Sequence, residues 1–181
     1  LFNYTRRASS VAHIGAIDLG GDNPIRIQSM TTTNTNDTEA CVRQAEEIIK
    51  AGGELVRFTT QGSREAENMK NINAGIRADG YQTPLVADVH FNPNVADVAA
   101  LYCEKVRINP GNYVDPARKF IKQEYTDEEY AHELKKIEER FVPFLNICKE
   151  NHTAIRIGVN HGSLSDRIRN RYGDTPEGIV E

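Results

Sequence analysis

No stretch of the 181-residue chain approaches the roughly 18 consecutive apolar residues that a membrane-spanning helix takes. Residues 1–10 lack the apolar core of a secretory signal, so the expected compartment is the cytoplasm. An excess of positive charge is also missing. A formal net charge of -4 and a pI near 5.8 argue against nucleic acid or an anionic membrane as the main partner. Cys41, Cys103 and Cys148 stand far apart in stretches of helical spacing, and no Cys-x-x-Cys pair occurs. No metal or cluster site can be assembled from them, and they read as small buried apolar residues. There is no low-complexity tract and no initial methionine. Thr175-Pro176 looks like the cap and first turn of a helix that stops at Glu181, so the sequence reads as a piece of a longer protein.

What the chain does contain is a repeated parity. With 39% apolar residues it is long enough for one soluble domain with a sizeable core. In Lys105-Val106-Arg107-Ile108-Asn109, stopped by Pro110-Gly111, the apolar residues point one way and Arg107 and Asn109 the other. Ile25-Arg26-Ile27-Gln28, Leu55-Val56-Arg57-Phe58-Thr59, Leu85-Val86-Ala87-Asp88-Val89-His90 and Ala154-Ile155-Arg156-Ile157-Gly158-Val159-Asn160 share that alternation. Segments with helical spacing lie between them, which predicts right-handed crossovers and a parallel sheet. Five such strands are too few for a complete eight-unit barrel of about 250 residues. The expected fold is therefore α/β, an incomplete TIM (β/α)8 barrel made of its first five β/α units. An N-terminal β-hairpin precedes it, formed by residues 11–15 and 16–21. Residues 1–22 form this lead-in, which plugs the amino-end mouth and holds a structural His13, and residues 23–181 form the first part of the barrel.

The helical segments carry their own signals. Asn36 or Asp37 caps a helix whose stripe is Cys41, Ala45, Ile48 and Ile49. Ser63 caps one that buries Ala66, Met69, Ile72 and Ile76, and Asn92-Pro93 opens the next. Asp115-Pro116 starts a short helix. Thr126-Asp127-Glu128-Glu129 is a capping box for a long one, with Tyr130, Leu134, Ile137 and Phe141 as its apolar stripe. Pro143 is expected to kink or restart it. Ser165-Asp166 reads either as a plain cap or as a helix N-terminus able to hold a phosphate.

The polar face of the strands is the informative one. Arg57, Arg107, Arg156 and His90 are expected to converge near the carboxyl-end rim of the barrel, and cations gathered in one cavity need an anion. A guanidinium presents a planar fork suited to phosphate oxygens. Asp88 and His90 are two residues apart and share a face. Either they form a structural pair, or Asp88 orients the imidazole or a neighbouring arginine.

Four stretches carry a resemblance over almost the whole chain. Ile27-Gln28-Ser29-Met30-Thr31, Val86-Ala87-Asp88-Val89-His90-Phe91, Arg107-Ile108-Asn109-Pro110-Gly111-Asn112 and Arg156-Ile157-Gly158-Val159-Asn160-His161-Gly162-Ser163-Leu164 closely resemble the hydroxymethylbutenyl diphosphate synthase family. The segment between Asn112 and Ala154, together with Asn160-His161-Gly162-Ser163-Leu164-Ser165-Asp166-Arg167, resembles the larger form found in plants and some bacteria. The resemblance implies an iron-sulfur oxidoreductase of non-mevalonate isoprenoid (terpenoid) biosynthesis. It opens the ring of 2-C-methyl-D-erythritol 2,4-cyclodiphosphate and dehydroxylates it to 4-hydroxy-3-methylbut-2-enyl diphosphate. It further implies a [4Fe-4S] cluster whose ligands lie outside this chain, ferredoxin or flavodoxin as electron donor, and a homodimer. Carried over residue by residue, Arg57, Arg107, Arg156 and His90 resemble the diphosphate-binding set, with Asp88, Asn109 and Asn160 as polar partners. No catalytic group and no metal ligand is assigned within the chain, and the chain alone is expected to be inactive and to associate through unpaired strand edges. Two rival readings stand beside this one. One is another phosphate-binding barrel, such as a relative of the pterin-binding synthases. The other is a non-catalytic interaction domain whose strand polars form a satisfied core network.

Overall fold

The computed structural model describes residues 7–90, 92–114 and 124–181. The short helix expected at Asp115-Pro116 lies outside the described residues. An antiparallel hairpin comes first, β1 (Ala12–Ile14) and β2 (Ile17–Leu19), with Gly15 at positive φ in the turn. Five parallel strands follow: β3 (Gln28–Met30), β4 (Leu55–Thr59), β5 (Leu85–Asp88), β6 (Lys105–Ile108) and β7 (Ala154–Ile157). Their order in the sheet is their order in the chain. Every crossover therefore steps one strand in the same direction. This is the singly wound progression of a (β/α) barrel, whereas a doubly wound sheet reverses its order.

The connections are α1 (Thr38–Lys50), α2 (Ser63–Ala78), α3 (Pro93–Ala100) and α4 (Asp127–Glu150), and α5 (Asp166–Tyr172) and α6 (Pro176–Val180) follow the last strand. Capping explains most of their starts. Asp37 accepts from Ala40 N at 3.0 Å, Asn92 from Asn94 N at 3.0 Å and Ser165 from Ile168 N at 3.3 Å. Thr126 and Glu129 form the expected reciprocal box, at 3.2 and 2.8 Å. At α2 the cap is Gly62 instead of Ser63. There the Glu65 carboxylate reaches back to Gln61 N at 3.0 Å and to Gly62 N, fixing the entry to the helix from its third residue. Pro143 does not restart α4, which runs unbroken through it.

Strand parity separates two cores. Val56, Phe58, Ala87, Val89, Val106 and Ile108 face the helices and pack with Met69, Ile72, Ile76, Val95 and Phe144. Full burial of side chains of this size contributes about 1.5–3 kcal/mol each. The opposite parity meets the hairpin. Ile14 packs on Leu55 and Val86, with Ile17, Leu19 and Ala154 around them, so the hairpin lies against the amino ends of these strands. A carboxylate secures that end. Glu104 accepts from Leu85 N at 2.7 Å, Arg77 at 2.9 Å and Asn73 at 3.3 Å, and its side chain lies against the Gly15 turn. His13 pairs with Asp18 at 2.6 Å on the exposed side of the hairpin, in keeping with a structural role.

Two expectations fail at the margins. The first strand begins at Gln28 and not at Ile25, leaving Ile25 and Ile27 81% and 61% exposed. Arg26 is drawn aside by Asp18 O at 2.9 Å and Glu54 at 2.8 Å. Ile157, on the opposite edge strand, is 55% exposed. Leu134 lies exposed on α4, off the buried stripe that Tyr130, Phe144 and Cys148 form.

Candidate anion-binding site

Asp88, the last residue of β5, is 1% exposed and is the point on which neighbouring strands converge. Arg57 of β4 donates to one carboxylate oxygen. Arg107 of β6 donates to the other at 3.4 Å. His90 Nε2 lies 3.8 Å from the oxygen that Arg57 occupies. The parallel register sets this arrangement, because Asp88 is paired with Arg107 across one ladder and with Thr59 across the other. Asp88 thus holds two guanidiniums and stands beside the imidazole. One carboxylate neutralises one of the two guanidiniums, and the cluster keeps a positive surplus in a buried setting, where an uncompensated charge is costly.

Arg107 is pinned at its far end. Its Nη2 donates to Gly158 O at 2.9 Å, and the guanidinium passes directly over the glycine. A Cβ on Gly158 would lie 2.9 Å from Arg107 Cζ, 3.0 Å from its Cδ and closer still to Nε. Gly158 is buried, and its lack of a side chain is what lets Arg107 lie flat against β7. Burial pushes the Arg107 guanidinium below its ordinary pKa. Asp88 opposes that shift, and Arg57 and Arg156 add to it. Arg156 pairs in register with Arg107, but its side chain is exposed and, among the described residues, makes no hydrogen bond or ion pair.

The remaining expected residues build the rim. Asn109 is buried, and its amide is used at both ends, accepting from Gly111 N at 3.2 Å and donating to Ser163 at 3.2 Å. Asn160 is exposed, and its carbonyl accepts from Ser163 N at 3.0 Å and Ser163 Oγ at 3.1 Å. Arg57, Asp88, His90 and Arg107 are therefore brought together, Arg156 stands on the same face one strand over, and Asn109 and Asn160 shape the loops above. Ser165 is a plain cap to a seven-residue helix.

Sequence reasoning missed Gly158 and Arg167 as contributors. Buried Arg167 donates to Gly111 O at 3.1 Å and lies 4.9 Å over the Tyr130 ring, tying the rim loop to α5 and α4. Tyr113 anchors the same loop through its ring, 5.5 Å edge-on from Phe141. Lys105 shares the parity of Arg107, and that signal was visible in the sequence.

All three cysteines are buried and free. Burial pushes the Cys148 thiol up to about 12 and that of Cys103 higher. Among the described residues no group of three His, Cys, Asp or Glu side chains could hold a metal ion, so the residues present do not fit an iron-sulfur cluster. No described helix is long and apolar enough to cross a membrane.

Residues 9–181 match the family model described as the GcpE TIM-barrel domain. The chain is 77% identical over 181 residues to a Phocaeicola vulgatus protein named 4-hydroxy-3-methylbut-2-en-1-yl diphosphate synthase (flavodoxin), covering 100% of this chain and 30% of that protein. It is 76% identical, with the same coverage, to the Bacteroides thetaiotaomicron protein of that name. The chain thus spans about 30% of the length of these curated relatives. A solved dihydropteroate synthase from Burkholderia cenocepacia shares 15% identity over 87% of this chain and 65% of its own, with a TM-score of 0.49, a likeness that bears on neither ligand nor activity. The family match, the whole-chain identity and the in-order parallel sheet agree: the chain belongs to the GcpE family and comprises part of its TIM-barrel domain.

Proposed function

We propose that this chain supplies much of the diphosphate-binding surface of a 4-hydroxy-3-methylbut-2-enyl diphosphate synthase, which converts 2-C-methyl-D-erythritol 2,4-cyclodiphosphate by ring opening and reductive dehydroxylation. The observation that carries this reading is the pair of guanidiniums, Arg57 and Arg107, sharing the buried Asp88 on the hairpin-facing side of the sheet. Arg156 stands in register beside Arg107, and His90 beside Asp88. Three guanidiniums against one carboxylate leave a surplus of two positive charges, which a diphosphate matches in sign and in oxygen geometry. In this reading Asp88 aims the two guanidiniums, Arg107 and Arg156 take phosphoryl oxygens, and His90 adds a donor at the rim. Asn109 and Asn160 act through the loops they shape. Fixing the diphosphate orients the rest of the substrate, and such positioning contributes several kcal/mol on the scale known for oriented reactants.

The [4Fe-4S] cluster that the reaction calls for is assigned to residues outside this chain, and no step is assigned to it here. Flavodoxin is the preferred electron donor, in keeping with the relatives' names, and ferredoxin is the alternative. Residues 1–22 act as a lead-in plug and 23–181 as the substrate-binding part, in a protein placed in the cytoplasm and working as a homodimer.

Arg107→Ala in the full-length enzyme tests the reading. Removing Arg107 leaves the Arg57–Asp88 pair intact and relieves cation repulsion, so stability changes little. Turnover falls at least about 100-fold, which corresponds to roughly 2.7 kcal/mol. The reverse pattern, intact turnover with a large stability loss, would identify the polar cluster as a core network. Tight binding of a pterin without binding of the cyclodiphosphate would point to a different ligand.

A further inference from the structure

One cation on this face has no place in the arrangement above. Lys105 opens β6 two residues before Arg107 and on the same side of the strand, one layer closer to the hairpin. It is 7% exposed. It faces a cavity of about 460 Å³ between the hairpin and the sheet, whose wall also includes Arg156, Gln28, Leu55 and Ile14. Among the described residues its ammonium makes no hydrogen bond and no ion pair. Burial and the neighbouring Arg156 and Arg57, both of its own sign, lower its pKa from the ordinary 10.5.

The charges around it are few. β4 presents Arg57, β5 presents Asp88 and His90, β6 presents Arg107, and β7 presents Arg156. Before β3, Arg26 is neutralised by Glu54 at 2.8 Å. The hairpin offers Ile14 and Leu19. The one carboxylate on this face of β4 to β7, Asp88, is already shared by Arg57 and Arg107. A buried ammonium whose charged neighbours are mostly cations is unstable unless an anion arrives.

We propose that Lys105 is a fourth cation of the anion site, closing its floor beneath a diphosphate held by Arg57, Arg107 and Arg156. The inference rests on the proposed diphosphate function and deepens it. With Lys105 charged, four cations and one carboxylate leave a surplus of three positive charges, close to the charge of a diphosphate ester. The bound anion restores the proton affinity that the empty site depresses, so binding draws a proton from solvent onto the fraction of Lys105 that is neutral. The sign follows. The Lys105 contribution to binding is complete below the lowered pKa of the unliganded site, which lies below 10.5, and is lost as pH rises from that value through the higher pKa of the complex.

The test is calorimetric titration of the full-length enzyme with inorganic pyrophosphate, across alkaline pH and in two buffers of different ionisation heat. The wild type is expected to show an alkaline limb of weakening affinity, with proton uptake along that limb. Lys105→Met is expected to weaken binding about tenfold at neutral pH and to abolish both the limb and the uptake. With the cyclodiphosphate, KM rises by a similar factor while kcat stays within about twofold. If Lys105→Met does not fold, Lys105→Arg serves, because it keeps the charge and does not titrate. Neutral-pH affinity should then survive while the limb disappears. A limb unchanged in either variant overturns the inference, as does a Lys105→Met protein that is merely less stable with wild-type binding, the behaviour of a lysine paired to a carboxylate elsewhere in the full protein. Pyrophosphate binding that is lost in Arg107→Ala but untouched in Lys105→Met sinks this inference alone. No pyrophosphate binding in the wild type sinks the diphosphate reading beneath it.

Discussion

Gly158→Ala is the most informative single change, because it adds one methyl group beneath Arg107 and replaces no charged residue. Ordinary contact with a Cβ begins at 3.4 Å, and the new methyl would sit 2.9 Å from Arg107 Cζ, so the guanidinium must retreat by at least about 0.5 Å. Arg107 has no slack to absorb that. Its bond to Asp88 is already at 3.4 Å, and its bond to Gly158 O, at 2.9 Å, runs to the residue that pushes it away. Loss of one charge-assisted hydrogen bond with a buried guanidinium left behind costs about 1.5–3 kcal/mol of stability. On the proposed function the displaced fork would no longer meet a phosphoryl oxygen, and kcat/KM is expected to fall about 10- to 100-fold, mostly through KM. The assay is a cycle of Gly158→Ala, Arg107→Ala and the double variant in the full-length enzyme, measured by denaturant midpoint and by steady-state kinetics. If the clash is with Arg107, the double variant recovers the stability that Gly158→Ala loses and is no less active than Arg107→Ala alone. Additive losses, or a Gly158→Ala enzyme with wild-type kcat/KM, would refute the reasoning.

Three further outcomes are expected. Asp88→Ala strands Arg57 and Arg107 without their counter-charge and should cost about 3–5 kcal/mol in urea unfolding, and a loss below about 1 kcal/mol would contradict the shared-carboxylate geometry. The Glu54 carboxylate is held below its ordinary pKa of 4.5, first by Ile27 N at 2.9 Å and then by Arg26. Its contribution is therefore fully present above pH 4.5 and is lost as pH falls through the lowered value, and thermal midpoints of Glu54→Gln should lack that part of the acid decline. With all three thiols buried and their pKa values raised, a neutral-pH thiol reagent should label none in the native protein and three after unfolding, and fast native labelling would contradict the burial.

Much of this architecture was legible because period-two alternation is a direct record of which side of a strand meets helices. Val86 differs from Ala87 and Val89 in just that way, and the structure assigns it to the opposite core. Convergence of Arg57, Asp88 and Arg107 was legible for the same reason, since parallel strands bring like positions side by side. What sequence could not reveal depended on distance across the sheet. Nothing local to Gly158 announces that an arginine 51 residues earlier lies over it. The parity of Asn109 was legible, but not that its amide accepts from Gly111 N and donates to Ser163, a contact 54 residues away. Ile25 and Ile27 alternate like a strand, but the ladder to β4 begins only at Gln28, because the Glu54 side chain takes Ile27 N and Arg26. Leu134 failed because an apolar residue near a helix stripe is buried only if a partner element reaches it.

The Glu104 latch has a consequence for how such a barrel can change. A single carboxylate there joins α2, β5 and the hairpin turn at the mouth opposite the arginines. On the proposed function, cohesion and ligand binding then belong to opposite poles of the same strands. Loops at the recognition pole can lengthen, shorten or exchange side chains while the latch preserves the alignment of the strands beneath them. A redesign for a different phosphorylated compound should accordingly leave Glu104, Arg77 and Gly15 untouched and vary the loops that follow β5, β6 and β7.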